Sequence, residues 1–196
     1  ALQQKKVGND LVALIGGREI HPINVRVGGF YKLPKKRDVQ AMIQPLRAAL
    51  EIARAGVRWA ASLPYTAFER PSEFVALRNG SEYPMNEGRI VSTKGLDIDC
   101  SEFEEHFTED HVARSTALHS SHAGHGSYAV GPIARFNLNH DLLPPVAQQC
   151  ARDVGLTPPV LNPFRSIVVR CVEMVAACEE AIRIAETYEE PVASAA

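Results

Sequence analysis

The stretch Gly16-Gly17-Arg18-Glu19-Ile20-His21-Pro22-Ile23-Asn24, followed by Gly28-Gly29-Phe30, sets two glycine pairs around an arginine, a histidine and a proline. Glycine reaches positive φ and lets another backbone approach closely, while Pro22 biases His21 toward extended backbone. A fixed, irregular loop presenting an imidazole and a guanidinium is expected here, and what precedes and follows it must be regular enough to anchor it.

Both flanks carry such patterns. Leu2, Val7, Leu11, Leu14 and Ile15 share one side of a helix that Gly16-Gly17 stops. Ile23, Val25 and Val27 alternate with Asn24 and Arg26, the period of a short half-buried strand. Asp38 can cap a helix reaching about Ser62, with Met42, Leu46, Leu50, Val57 and Trp59 as buried candidates. Pro45 inside it predicts a kink or a delayed start, and Pro64 closes it.

The texture changes between Glu73 and Asp99. Phe74, Ala76 and Arg78 alternate with Val75 and Leu77, Asn79-Gly80 marks a turn, and Ile90-Val91 and Leu96-Asp97-Ile98-Asp99 supply further short strands. Ser101 and Glu104 have the capping-box spacing and predict a short helix carrying Phe103 and Phe107. Asp141 or Pro144 starts another helix, which stops at Gly155. Asn162-Pro163 is the favoured pairing at a helix start, and a long helix to about Tyr188 follows, with Ile167, Cys171, Val175, Cys178, Ile182 and Ala185 as its apolar stripe. Arg170, Glu173, Glu180 and Arg183 fall on its other sides, and the tail from Pro191 is expected to fray. The pattern is α+β and predominantly helical: helices over 1–62, a small antiparallel β-meander over 73–99, and helices over 101–190.

Composition removes several function classes. A formal net charge of −2 draws the chain neither to nucleic acid nor to anionic lipid. No apolar run approaches the ~20 residues of a membrane-spanning helix, and the polar start from Ala1 to Asp10 has no signal-peptide core, so a cytoplasmic setting is expected. Cys100, Cys150, Cys171 and Cys178 form no C-x-x-C pair and read as reduced, mostly buried thiols. His119, His122 and His125 recur at threes and would share a helix face, but Gly124 and Gly126 oppose a helix there and no acidic residue or cysteine lies between them. A solvated or locally hydrogen-bonded cluster is favoured over a metal site. The acidic group Asp97, Asp99, Glu102, Glu104 and Glu105 lacks the glycine and terminal glutamate of a calcium loop. Phosphate-loop, dinucleotide, zinc-protease and serine-hydrolase motifs are missing from the sequence.

Two segments carry a family resemblance. Gly16 to Phe30 resembles the G-G-R-x-x-H-P-x-N-x-x-x-G-G stretch of nickel-iron hydrogenase large subunits in the soluble branch, which includes the NAD(P)-linked and cofactor-420-reducing enzymes. Tyr128-Ala129-Val130-Gly131-Pro132-Ile133-Ala134-Arg135-Phe136-Asn137 resembles that family's Y-x-V-G-P-L-A-R-x-N segment, and Gly95-Leu96 with Glu109 to Ser120 fits the region between them. The order and separation of the two motifs extend the resemblance over essentially the whole chain.

The resemblance implies part of the hydrogenase large-subunit fold and the reversible cleavage of dihydrogen into protons and electrons. It implies as partners the remaining parts of the large subunit together with an iron–sulfur small subunit. The family's nickel-iron centre, bearing cyanide and carbon monoxide, is held by two C-x-x-C pairs that this sequence does not contain. The expectation is therefore a central segment, 1–196, with no catalytic residue, no metal ligand and no bound cofactor of its own, inactive alone. His21 matches the histidine that faces the small subunit near its proximal iron–sulfur cluster, and loop rigidity is an equal account of it. Arg18 is a candidate for the same facing loop or for an ion pair, and Arg135 for a buried structural role. The alternative is a hydrogenase-derived binding or scaffolding module without catalysis.

Overall fold

Apolar residues at three- and four-residue steps become helices wherever glycine and proline permit, and the computed structural model, which describes residues 2–190, arranges them around a small sheet. Helix α1 (Leu2–Gly16) ends at the first glycine pair, and the loop beyond it holds a two-stranded hairpin, β1 (Val25–Arg26) and β2 (Gly29–Phe30). The expected half-buried strand is shorter than its pattern, and both residues of β1 are exposed. Next come α2 (Lys36–Ala41) and α3 (Ile43–Ala61), which restarts after Met42. Pro45 lies in the first turn of α3, where its missing N–H breaks no helical bond, so the delayed start is the form taken.

The β-region contains β3 (Glu73–Arg78), β4 (Arg89–Ser92) and β5 (Asp97–Ile98), paired antiparallel with Val75 opposite Ser92 and Ile90 opposite Ile98. This is the expected meander. A 3₁₀ turn at Cys100–Glu102 leads into α4 (Phe103–His106), and its capping box sits two residues earlier than anticipated. Asp99 accepts from Ser101 N at 2.9 Å while Glu102 accepts from Asp99 N at 2.7 Å. Asp99 and Glu102 have the same spacing as Ser101 and Glu104, and the extended backbone of Asp99 aims its carboxylate at the exposed N–H groups.

The expectation of helix throughout 101–190 needs correction. Strands β6 (Phe107–Asp110) and β7 (His119–His122) form a hairpin, and β8 (Tyr128–Ala129) adds parallel to β3, giving a sheet in the order β5-β4-β3-β8. Gly124, Gly126 and Gly131, all at positive φ, break any helix in this stretch. Helix α5 (Pro132–Asn139), α6 (Pro145–Asp153) and α7 (Ser166–Thr187) complete the fold, and Asn162 caps the turn before α7 by accepting from Phe164 N at 3.0 Å. The expected fraying from Pro191 falls outside the described residues.

The main core lies where α3, α5, α6 and α7 meet. Val57, Val168, Val169, Val172 and Val175 are fully buried, with Phe136 and small residues such as Ala53, Ala60, Ala134 and Ala147 allowing close helix approach. A second cluster of Val75, Ile98 and Phe107 lies against the sheet. Trp59, expected to be buried, is 65% exposed, and Ile167 is 45% exposed. The stripe of α3 runs through Leu46, Ala49, Ala53, Val57 and Ala60, so a residue two positions after Val57 points away from it.

Truncating Phe136 to alanine should lower folding stability by about 3–5 kcal/mol in urea unfolding, whereas Trp59→Ala should stay within about 0.5 kcal/mol of wild type. Equal losses for both substitutions would contradict the placement of the core.

Candidate functional site

The glycine-bracketed loop is held by backbone bonds rather than by a core. Ile23 N and Asn24 N both donate to Gly16 O, at 2.9 and 3.0 Å, folding the chain back on the end of α1. Gly16 is required there, because a Cβ would lie 2.8 Å from Pro22 Cβ. The Asn24 amide donates to Ile15 O at 2.7 Å and Lys32 O at 2.6 Å, and its oxygen accepts from Lys32 N at 2.9 Å. One side chain thereby closes the base of the loop.

The two expected site residues come together at its tip. Arg18 Nε donates to His21 O at 2.6 Å, and both side chains are exposed. His21 has φ +51, not the extended backbone that Pro22 favours. The Arg18 bond to its carbonyl and the return of Ile23 to Gly16 hold it in the left-handed region, at a local cost. In the same loop Ile20, Ile23, Val25, Val27, Phe30 and Tyr31 are exposed, Val27 completely, so the segment carries an exposed apolar rim.

Arg135 takes the structural role expected of it. Its Nε and Nη2 donate to Glu173 Oε1 and Oε2 at 2.7 and 2.9 Å, and the Tyr83 hydroxyl donates to Glu173 Oε1 at 2.8 Å. Glu173, off the expected apolar stripe of α7, is nonetheless buried, because Arg135 reaches it from α5. Burial, reinforced by the Glu173 carboxylate, pushes the Tyr83 hydroxyl far above its ordinary range, so it acts as a permanent donor.

The histidine triplet adopts no helix. His119 and His122 lie on β7 and His125 in the turn after it, with His119 exposed and turned away from the cluster the others form. His122 is buried, its Nδ1 2.9 Å from Glu73 Oε1, and its ring stacks between Phe107 at 5.2 Å and His125 at 4.3 Å. Glu73 is the acidic partner that the local sequence lacks. It begins a strand 49 residues before His122, so no spacing rule points to it. Burial works to raise its carboxyl, but the Ser92 hydroxyl, His122 and Lys94 outweigh that and hold it below the ordinary glutamate range.

The four cysteines are scattered: Cys100 is exposed beside α4, Cys150 is buried in α6, and Cys171 and Cys178 are two helical turns apart on α7. Burial raises the thiols of Cys150, Cys171 and Cys178, favouring the protonated form.

No family model matches the chain. It is 30% identical over 184 residues to the alpha subunit of sulfhydrogenase 1 of Pyrococcus furiosus, covering 93% of this chain and 43% of that protein. It is also 23% identical to a subunit of the vhc F420-non-reducing hydrogenase of Methanococcus voltae, over 91% of this chain and 42% of that protein. Among solved structures, an NAD+-reducing [NiFe]-hydrogenase in the H2-reduced state superposes with TM-score 0.75 at 18% identity, over 93% of this chain and 45% of the other. A reduced, active Ni-Fe-Se hydrogenase from Desulfomicrobium baculatum gives TM-score 0.62 at 16% identity, over 98% and 49%. The curated relatives are hydrogenase subunits, and this chain shares the fold of part of the two solved nickel-iron and nickel-iron-selenium hydrogenase chains, as the sequence resemblance implied. The chain spans less than half the length of each.

The residues present do not fit the nickel-iron centre of such subunits. That centre needs clustered thiolates, and here the four thiols are dispersed, with burial raising those of Cys150, Cys171 and Cys178. Alkylation of the native protein at pH 8 followed by mass spectrometry should label Cys100 first, with Cys150 and Cys178 protected until unfolding. Glu173→Gln should cost about 1.5–3 kcal/mol in urea unfolding, since Arg135 loses its charged acceptor, while Glu104→Gln on the surface should be near neutral.

Proposed function

We propose that this chain is the central part of the large subunit of a soluble nickel-iron hydrogenase, of the NAD(P)-linked or cofactor-420-reducing branch, that interconverts dihydrogen with protons and electrons in the cytoplasm. The observation that carries this reading is the similarity to a hydrogenase alpha subunit over nearly the whole chain, together with a shared fold. The metal chemistry then belongs to parts of the subunit other than this segment. Within it, α5 and its buried ties support the interior, and the loop from Gly16 to Phe30 serves as the docking face for the iron–sulfur small subunit.

The loop geometry supports that role. A surface that receives a partner benefits from being ordered beforehand, because less entropy is lost on association. Asn24 and the Gly16 carbonyl provide that order, and the exposed apolar rim provides area to bury. His21, held at the tip, is placed to donate a hydrogen bond or partial positive charge to a redox group in the partner, which favours the reduced state of that group.

The test uses the full-length subunit co-expressed with its small subunit. His21→Ala should shift the midpoint potential of the nearest iron–sulfur cluster downward by about 40 mV, the equivalent of one hydrogen bond of about 1 kcal/mol. Val27→Asp should weaken association of the two subunits at least about tenfold. An unchanged potential together with unchanged association would remove the loop from the interface.

A further inference from the structure

We propose that Glu73, His122 and His125 form a binding site for one divalent transition-metal ion of the zinc class, joining the β6–β7 hairpin to the four-stranded sheet. The three residues offer one carboxylate oxygen and two imidazole nitrogens, all within 4.8 Å of one another. His122 Nδ1 lies 2.9 Å from Glu73 Oε1, and His125 Nδ1 lies 4.0 Å from Glu73 Oε2. Ligands bound tetrahedrally at zinc's usual bond lengths stand about 3.3 Å apart, so a cluster whose ligand atoms already lie within 4.8 Å of one another needs only small side-chain movements to close on an ion. A nitrogen- and oxygen-rich set without thiolate suits zinc and its borderline neighbours.

A second observation points the same way. The Glu73 side chain is fully buried, yet its Oε2 accepts no hydrogen bond of ordinary geometry, the nearby Ser92 hydroxyl included. A buried carboxylate oxygen without a partner is costly, and native proteins rarely leave one so. Lys94 Nζ approaches to 3.7 Å, near enough to compensate charge but too far for a hydrogen bond. A cation bound on Oε2 satisfies both the charge and the lone pair.

The two histidines are organised unequally. His122 is locked by burial and by the Phe107 ring on one face. His125 belongs to a tight turn in which His125 N and Gly126 N both donate to His122 O and His122 N donates to Gly126 O, so its backbone is fixed while its side chain remains 43% exposed. The rings now stack with their planes 8° apart, and metal binding requires that of His125 to swing until its lone pair converges with that of His122. Its exposure permits the movement and gives the ion a path from solvent. Because binding uses the His122 Nδ1 lone pair, that ring carries its proton on Nε2 in the loaded state.

This site departs from the expectation that the chain holds no metal, and it is independent of the hydrogenase reading: it uses no cysteine and neither of the two family motifs. The full chain, stripped with a chelator, is titrated with zinc by calorimetry and with cobalt by visible absorption. Wild type should bind one ion, His125→Ala should bind at least tenfold more weakly with an unchanged circular dichroism spectrum, and His119→Ala should bind as wild type. Lys94→Met should bind more tightly, since a competing positive charge beside Oε2 is gone. Zinc should raise the melting temperature of wild type but not of His125→Ala. Stoichiometric binding missing from wild type, unchanged affinity in His125→Ala, loss of binding in His119→Ala, or unchanged or weaker binding in Lys94→Met would each overturn the proposal.

Discussion

The fold depends on the polar side chains of one short helix. Gly131, at φ +86, and Pro132 start α5, and from there each polar residue ties a different part of the chain. Arg135 holds Glu173 of α7; Asn137 donates to Val160 O at 3.0 Å and accepts from Val160 N at 2.8 Å; Asn139 donates to Leu77 O of β3 at 3.0 Å. Arg78 of β3 returns the connection by donating to Leu138 O and Asp141. Between these, Ala134 and Phe136 are buried among the valines of α7. Each polar group would be expensive to bury alone, so sheet, helix and connecting loop must all be in place before any of them is satisfied. That mutual requirement turns a small set of hydrogen bonds into a specification of the whole arrangement.

The two motifs that carry the family resemblance therefore do different physical work. The segment from Tyr128 to Asn137 faces inward and sets the internal geometry. The segment from Gly16 to Phe30 contributes almost nothing to the core, and only Gly16 within it is buried. Its residues are consumed in ordering the loop itself: a glycine where Pro22 crosses, an asparagine closing the base, an arginine fastening the carbonyl of a strained histidine. Under the proposed function, that local order prepares the loop for contact at a low entropic cost.

The features legible in the sequence are those set by near neighbours. The stop of α1 at Gly16, the restart at Pro45, the three-stranded meander and the Asn162 cap all depend on residues within a few positions of one another. Where the deciding partner lay far away, the reading failed. The burial of Glu173, off the apolar stripe, went unread because nothing near it in sequence shows that Arg135, 38 residues earlier, is waiting across the helix interface. The strands β6, β7 and β8 hold too few apolar residues to announce themselves; the glycines after β7 and β8 oppose helix there, β6 and β7 pair with each other, and β8 takes the edge of the sheet beside β3. His21 departs from its rule at short range, since the preference set by Pro22 is overridden by two hydrogen bonds within the loop. Arg18 and His21 were found because a motif exposed them, whereas Glu73 belongs to no motif.

Glu73 and Glu173 together show what separates a finished structural pair from an unfinished site. Both are glutamates buried in the interior, and both would suffer a large desolvation penalty without compensation. Glu173 is fully compensated: two guanidinium donors take its two oxygens and a tyrosine hydroxyl adds a third bond. Glu73 has one oxygen on His122 and the other without a hydrogen bond of ordinary geometry, with a half-exposed histidine and a lysine beyond bonding distance. Had the fold needed only a buried ion pair here, the arginine geometry that completes Glu173 was available to it. A carboxylate left half-satisfied between two imidazoles, one fixed and one free to turn, has instead the chemistry of a group that awaits a cation.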